Sequence, residues 1–146
     1  MSAASDLSRT EAGRRGVVAV LVEAGRMLVI RRSRQVVAPG AYCFPGGAIE
    51  PGETEPQALV REIQEELGAA IRPIRLLWRS TTPWRVPLAW WLAQREPHLP
   101  LVPNPAEVES VHWVTTDEMA ALDGLLESNR QFLAALAAGE FDLEPE

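Results

Sequence analysis

The chain is expected to fold as one α/β domain, a mixed β-sheet sandwiched between α-helices. Three observations predict this. Apolar, β-branched runs recur from Gly16 to Val114 with turn residues between them. A strongly capped helical segment interrupts them, and two more helical segments follow the last run. A length of 146 residues, 47% hydrophobic and 23% charged, suits one buried core.

The elements follow in order. Met1 to Arg15 is small, polar and charged, and is expected to be a disordered arm with no apolar signal-peptide core. Gly16 to Val22 and Met27 to Ile30 are strands joined by a hairpin at Glu23-Ala24-Gly25-Arg26. A polar loop, Arg31 to Gly40, leads to a short strand, Tyr42-Cys43-Phe44. Pro45-Gly46-Gly47 and Pro51-Gly52 are turn signals around Ala48-Ile49-Glu50. Thr54 is a good N-cap, Glu55, Pro56 and Gln57 suit a first turn, and Gly68 is a stop, so a helix runs from about Glu55 to Leu67.

Ile71 to Arg79 is a strand whose Pro73 places its start at an edge, and Thr81 to Trp84 make a turn. Leu88 to Gln94 is a strongly apolar strand, Pro97 to Pro105 a proline-rich loop, and Val108 to Val114 the last strand. Thr116 caps a helix from Asp117 to Leu122, and Ser128 caps another from Asn129 to Ala138 with Phe132, Leu133 and Leu136 on its core face. The domain is thus expected over residues 16–138, followed by an acidic tail over 139–146.

Composition narrows the function. No apolar run is long enough to span a membrane. The net charge of −6 argues against nonspecific binding of duplex nucleic acid, and all fourteen basic residues are Arg. The single Cys43 excludes an internal disulfide framework and suits the cytoplasm; it reads as a small buried hydrophobe. Neither His has a partner at metal-ligand spacing.

The chemistry concentrates in the first helix. Glu62, Glu65 and Glu66 stand at i, i+3 and i+4 and share a face, beside an apolar stripe of Leu59, Ile63 and Leu67. Glu53 enters from the preceding loop, whereas Arg61 is expected to point away from the cluster's centre. Like charges on one helical face repel, and a hard divalent cation that binds carboxylate oxygens explains the arrangement.

Gly47, Glu53, Arg61, Glu62, Glu65, Glu66 and Gly68, with aliphatic Ile63, follow the spacing of the Nudix box, and the segment resembles that of the Nudix hydrolases. Ala69 departs from the pattern, standing where a bulkier aliphatic is usual. By chance these seven fixed residues would coincide on the order of once in 10⁶ chains of this length. The resemblance implies the Nudix fold and Mg²⁺-dependent hydrolysis of nucleoside diphosphate derivatives, with Mn²⁺ able to substitute. It also implies a metal site of Gly46, Glu53, Glu62, Glu65, Glu66 and Glu107. Arg61 would orient a glutamate or the loop; Glu62 would be the general base, with Glu65 and Glu107 as alternatives.

Beyond the box the pattern is similar to the MutT-like branch, which converts nucleoside triphosphates to monophosphate and pyrophosphate. Glu107, six residues before Trp113, falls where that branch carries an additional metal-ligand glutamate, and Glu109 competes with it. Arg32 falls at a phosphate-contacting position, Arg85 and Asn129 at base-contacting ones, and Phe44 lines the base pocket or fills the core. The tryptophans are expected in the core, Trp84 in its exposed turn excepted. Pyrophosphatases of ADP-ribose, nucleotide sugars or coenzyme A, and a catalytically silent nucleotide-binding domain, are the alternatives. The expected partner is a small-molecule nucleotide, with no membrane, and the chain is a monomer or homodimer.

Overall fold

Residues 14–97 and 99–145 are described by the computed structural model of the chain. The arm expected over residues 1–15 lies outside the described residues up to position 13. Arg15 leads into the sheet, its carbonyl accepting from the amide of Ile49 at 2.9 Å.

Strand β1 (Gly16–Glu23) turns through Ala24 and Gly25, at φ 52° and 75°, into β2 (Arg26–Arg32), the tight hairpin expected there. Then come β3 (Tyr42–Cys43), β4 (Gly46–Ala48), α1 (Glu55–Leu67), β5 (Ile71–Thr81), β6 (Pro87–Arg95), β7 (Val108–Val114), α2 (Thr116–Ala120) and α3 (Glu127–Ala137). The sheet is mixed: β1 pairs parallel with β6 and antiparallel with β4 and, at its end, with β2. Strand β2 pairs with β3 and β7, and β5 closes the other edge on β6.

Alternation along the central strands makes two cores. Val17, Ala19 and Leu21 of β1, with Ala89 and Ala93 of β6, pack with Leu59, Ile63 and Leu67 of α1. Val18 and Val20, with Leu88, Trp90 and Leu92, pack on the other side with Met119 and Phe132. The sheet thus lies between helices, as expected. Ala69 is buried in the α1-side core.

Four local expectations need correction. Gly46 and Gly47 are not a turn; they lie in β4, because each allows an approach that a side chain would block. The cap of α2 is Thr115 rather than Thr116, since Glu118 stands three residues beyond Thr115 and completes a capping box. Helix α3 begins at Glu127, with Leu126 as its N-cap and no side-chain cap bond, so Ser128 is inside it. On α3 the buried residues are Asn129, Phe132 and Ala135, with Leu133 and Leu136 only partly covered. After α3 the chain packs back: Phe141 meets Phe132 at 4.9 Å between ring centroids, and Arg75 holds Asp142 at 2.9 Å.

Candidate active site

Helix α1 is secured at both ends. The hydroxyl of Thr54 accepts from the amide of Gln57, whose side chain accepts in turn from the amide of Thr54. Gly68, at φ 58°, closes the helix with its amide on the Gln64 carbonyl. Anchored this way, the helix drives two of its glutamates into the protein: Glu62 is 0% exposed and Glu66 2%.

Two glycines make room for them. A Cβ on Gly47 would lie 2.2 Å from the Glu62 carboxylate, and a Cβ on Gly46 would lie 2.2 Å from the Val17 carbonyl oxygen. The amide of Gly46 donates to Glu66 Oε1 at 2.9 Å. The Pro-Gly-Gly run is therefore the floor of the acidic site, and its glycines serve close approach rather than a turn.

Arg61 does not point away from the carboxylates; it stands among them. Its Nε and one terminal nitrogen grip Glu53 at 2.7 and 2.8 Å, and that nitrogen also donates to the Ala48 carbonyl at 3.0 Å. The other terminal nitrogen meets Glu62 at 3.0 Å and Glu65 at 3.3 Å. The guanidinium thereby ties the loop before α1 to the helix, and its bond to Glu53 holds that carboxyl below its ordinary range.

Glu107 arrives by a different route. The loop after β6 is stapled to the end of α1, where the amides of Val102 and Asn104 donate to the Leu67 and Glu66 carbonyls. Asn104 then turns the chain, its side chain accepting from the amide of Ala106 at 3.1 Å. Ser33 fastens the loop to the end of β2 through its amide to the Glu107 carbonyl and its hydroxyl to the Ala106 carbonyl. Glu107 is thus buried near Glu62 and Glu66, while Glu109 is exposed and paired with Arg31 at 3.2 Å. Neither Ser33 nor Asn104 was anticipated; the Pro103-Asn104-Pro105 turn was the available signal.

These carboxylates are electrostatically frustrated. Burial, then the charges of Glu65 and Glu107, pushes Glu62 up to about 7 against the opposing pull of Arg61. Burial, with Glu62 and Glu107 beside it, carries Glu66 well above its ordinary range, and burial next to Glu65 raises Glu107. Glu62 Oε2 and Glu107 Oε2 are buried without a hydrogen-bond partner among the described residues. Among the described residues no three such groups are already drawn in to coordinate a metal. Two orphaned anionic oxygens beside a third buried carboxylate nevertheless fit a hard divalent cation, which supplies the missing charge.

A narrow cleft of about 50 Å³ leads away from Glu66 between Arg32, Phe44, Gly46 and Asn129. It shares Arg32, Leu88, Leu126 and Ser128 with a larger, mainly apolar cavity of about 560 Å³. Arg32 is buried at this junction, with Nε on the Val37 carbonyl at 2.7 Å, and its charge opposes the rise at both Glu66 and Glu107. Phe44 is buried in the aromatic cluster against Phe132 and Trp90.

Of the two expected base contacts, Asn129 lines the narrow cleft and Arg85 lies outside both spaces. Asn129 is 3% exposed; its Oδ1 accepts from the amide of Phe44 at 2.9 Å and its Nδ2 donates to Ser128 Oγ at 3.2 Å, so its amide holds α3 to the sheet. Arg85 is exposed at φ 64° in the β5–β6 turn and is absent from the lining of either space. Trp84 beside it is 50% exposed and does line the larger cavity.

With this geometry in hand, similarities to known proteins become interpretable. The NUDIX domain model matches residues 12–136. The NAD-capped RNA hydrolase NudC of Stutzerimonas stutzeri is 34% identical over 105 residues, covering 70% of this chain and 37% of that protein. The CTP pyrophosphohydrolase of Escherichia coli is 47% identical over 53 residues, covering 36% of this chain and 39% of that protein. The chain therefore spans well under half the length of the curated relatives it matches here. A MutT Nudix hydrolase structure from Burkholderia pseudomallei superposes with a TM-score of 0.69 at 25% identity, covering 83% of this chain and 95% of that one. The acidic helix, its glycine floor and these matches agree: the chain belongs to the Nudix family.

Proposed function

We propose that the chain hydrolyses a nucleoside triphosphate, oxidised purine forms included, to the monophosphate and pyrophosphate with Mg²⁺ as cofactor. The observation that carries this is the continuity of the site. Glu66, whose buried neighbours Glu62 and Glu107 each carry an oxygen without a partner among the described residues, lines a cleft that shares its wall with an apolar cavity, and about 560 Å³ is in the range of small-molecule sites, roughly 300–1,000 Å³.

Glu62, Glu66 and Glu107, with Glu65 at the rim, would hold Mg²⁺ or Mn²⁺; when bound, the cation supplies neutralisation and polarisation of the phosphate oxygens. Glu66 is committed through Oε1 to Gly46, and Glu62 through Oε1 to Arg61, which leaves Glu62 Oε2 to accept a proton. Glu62 is thus the general base for the attacking water, with Glu65 and Glu107 as the alternatives. Water adds to phosphorus, the bridging P–O bond breaks, and pyrophosphate leaves. Arg61 acts through the glutamates it holds, and Arg32, between the cleft and the cavity, neutralises phosphate charge.

A dinucleotide pyrophosphate is the second reading, supported by the similarity to NudC over 70% of this chain. Product analysis by mass spectrometry with and without Mg²⁺ separates the two. The panel holds nucleoside triphosphates, 8-oxo-dGTP, NAD, NADH, ADP-ribose, a diadenosine polyphosphate and coenzyme A. Monophosphate plus pyrophosphate from a triphosphate is the expected result; turnover of NAD or ADP-ribose alone would replace the substrate and keep the site. Nucleotide binding without any turnover would instead mark a catalytically silent domain.

A further inference from the structure

The larger cavity has an unusual wall. Four of the five tryptophans are buried or half-buried, whereas Trp84 is half-exposed over an apolar space shared with Val37 and Leu126. A half-exposed indole lining an apolar cavity offers a flat face on which a planar ligand can stack.

The turn that carries Trp84 is stiff and strained. The amide of Arg85 donates to the Thr82 carbonyl at 2.9 Å, and the hydroxyl of Thr82 accepts from the amide of Val86 at 3.1 Å. Pro83 precedes Trp84, and Arg85 holds the left-handed position that normally falls to glycine. Across the cavity Ala38 also has a positive φ, of 54°. Backbone strain at both rims is the pattern of a ligand clamp.

Base recognition then needs a polar partner, and Asn129 is already engaged. Glu127 is the candidate on the page: it lines the same cavity, is exposed, and makes no hydrogen bond or ion pair among the described residues. Its carboxylate is an acceptor only.

Resting on the nucleotide reading above, we propose that Trp84 and Glu127 form the base clamp. Trp84 stacks on the ring, and Glu127 accepts from N–H groups on the base edge. The two carboxylate oxygens match two adjacent donors, as guanine presents, and are repelled by the carbonyls that flank the single N–H of uracil or thymine.

Steady-state kinetics on GTP, UTP and base-free methyl triphosphate, paired with tryptophan-fluorescence titration of the same nucleotides, test the clamp. Trp84→Ala should raise KM for GTP about tenfold or more. Its kcat should change little, the loss should be confined to substrates that carry a base, and Trp84→Phe should restore most of it. Glu127→Gln should shrink the GTP-over-UTP preference about tenfold. The fluorescence change on binding should vanish in Trp84→Phe. Unchanged KM and an unchanged fluorescence response in the Trp84 variants, or an unchanged base preference in Glu127→Gln, would overturn the clamp. Were no nucleotide turned over, the triphosphatase reading would fail by itself, and the fluorescence titration would still decide whether Trp84 meets a base and Glu127 selects it.

Discussion

At the carboxylate end of the site, Gly46, Gly47, Glu62 and Glu66 come from one stretch of chain and hold one another in place, with Glu107 sewn on by Ser33 and Asn104. At the apolar end, Val37, Trp84 and Leu126 arrive from three separate loops. The first arrangement suits a reaction that every substrate undergoes. The second suits recognition, in which a loop can change without disturbing the chemistry.

The largest effect should come from breaking the carboxylate end at its charges. Glu66→Gln keeps an oxygen for the amide of Gly46 but removes a negative charge, so kcat should fall about a hundredfold or more. The melting temperature without metal should hold or rise, because a repelling buried charge is gone. A variant with near-native turnover would remove Glu66 from the metal site. Magnesium titration of the wild type should raise the melting temperature, by about 2.7 kcal/mol of stability at a hundredfold excess over Kd. A Glu66→Gln protein that keeps this shift would place the cation elsewhere.

Paired glycine substitutions sharpen the contrast between floor and reagent. Gly46→Ala meets the Val17 backbone and should cost about 2–3 kcal/mol in chemical denaturation. Gly47→Ala meets the Glu62 carboxylate first, so its loss should fall on kcat, about a hundredfold for a misplaced carboxylate. Equal stability losses in the two would mean that Glu62 cannot be displaced without unfolding its surroundings.

The smallest effect belongs to the apolar end. Arg85→Gly relieves a non-glycine left-handed residue and should gain about 1 kcal/mol, whereas Arg85→Asn, which tolerates the same backbone and keeps the turn under Trp84, should leave KM for nucleotide alone. A rise in KM would restore Arg85 as a base contact.

This contrast also explains what could be read in advance. Helix α1 and strand β7 have the boundaries expected, because Thr54, Pro56 and Gly68 for the one, and an apolar run ending at Val114 for the other, are local signals. The carboxylates were legible because the box is contiguous, and Glu107 because a fixed distance separates it from Trp113. The bond that Asn129 makes to the amide of Phe44 is not legible in the sequence, because that partner lies 85 residues away and leaves no local trace. The glycine floor looked like a turn because composition alone cannot distinguish a glycine that bends from one that lets another chain approach. The clamp was visible only as one exposed tryptophan, since its walls meet through tertiary packing.

The parallel pairing of β1 with β6 sets an order of assembly. Gly16 lies opposite Leu88, so the whole of α1 falls inside a long loop that this pairing closes. Closing such a loop is the slow step of folding for a topology rich in non-local contacts. The hairpin and the acidic helix can form early, but α1 has its complete floor only once β6 has docked, and Glu107 follows later in the chain than both. Glu107 therefore joins the glutamates of α1 last, after the apolar contacts that hold the helix are in place.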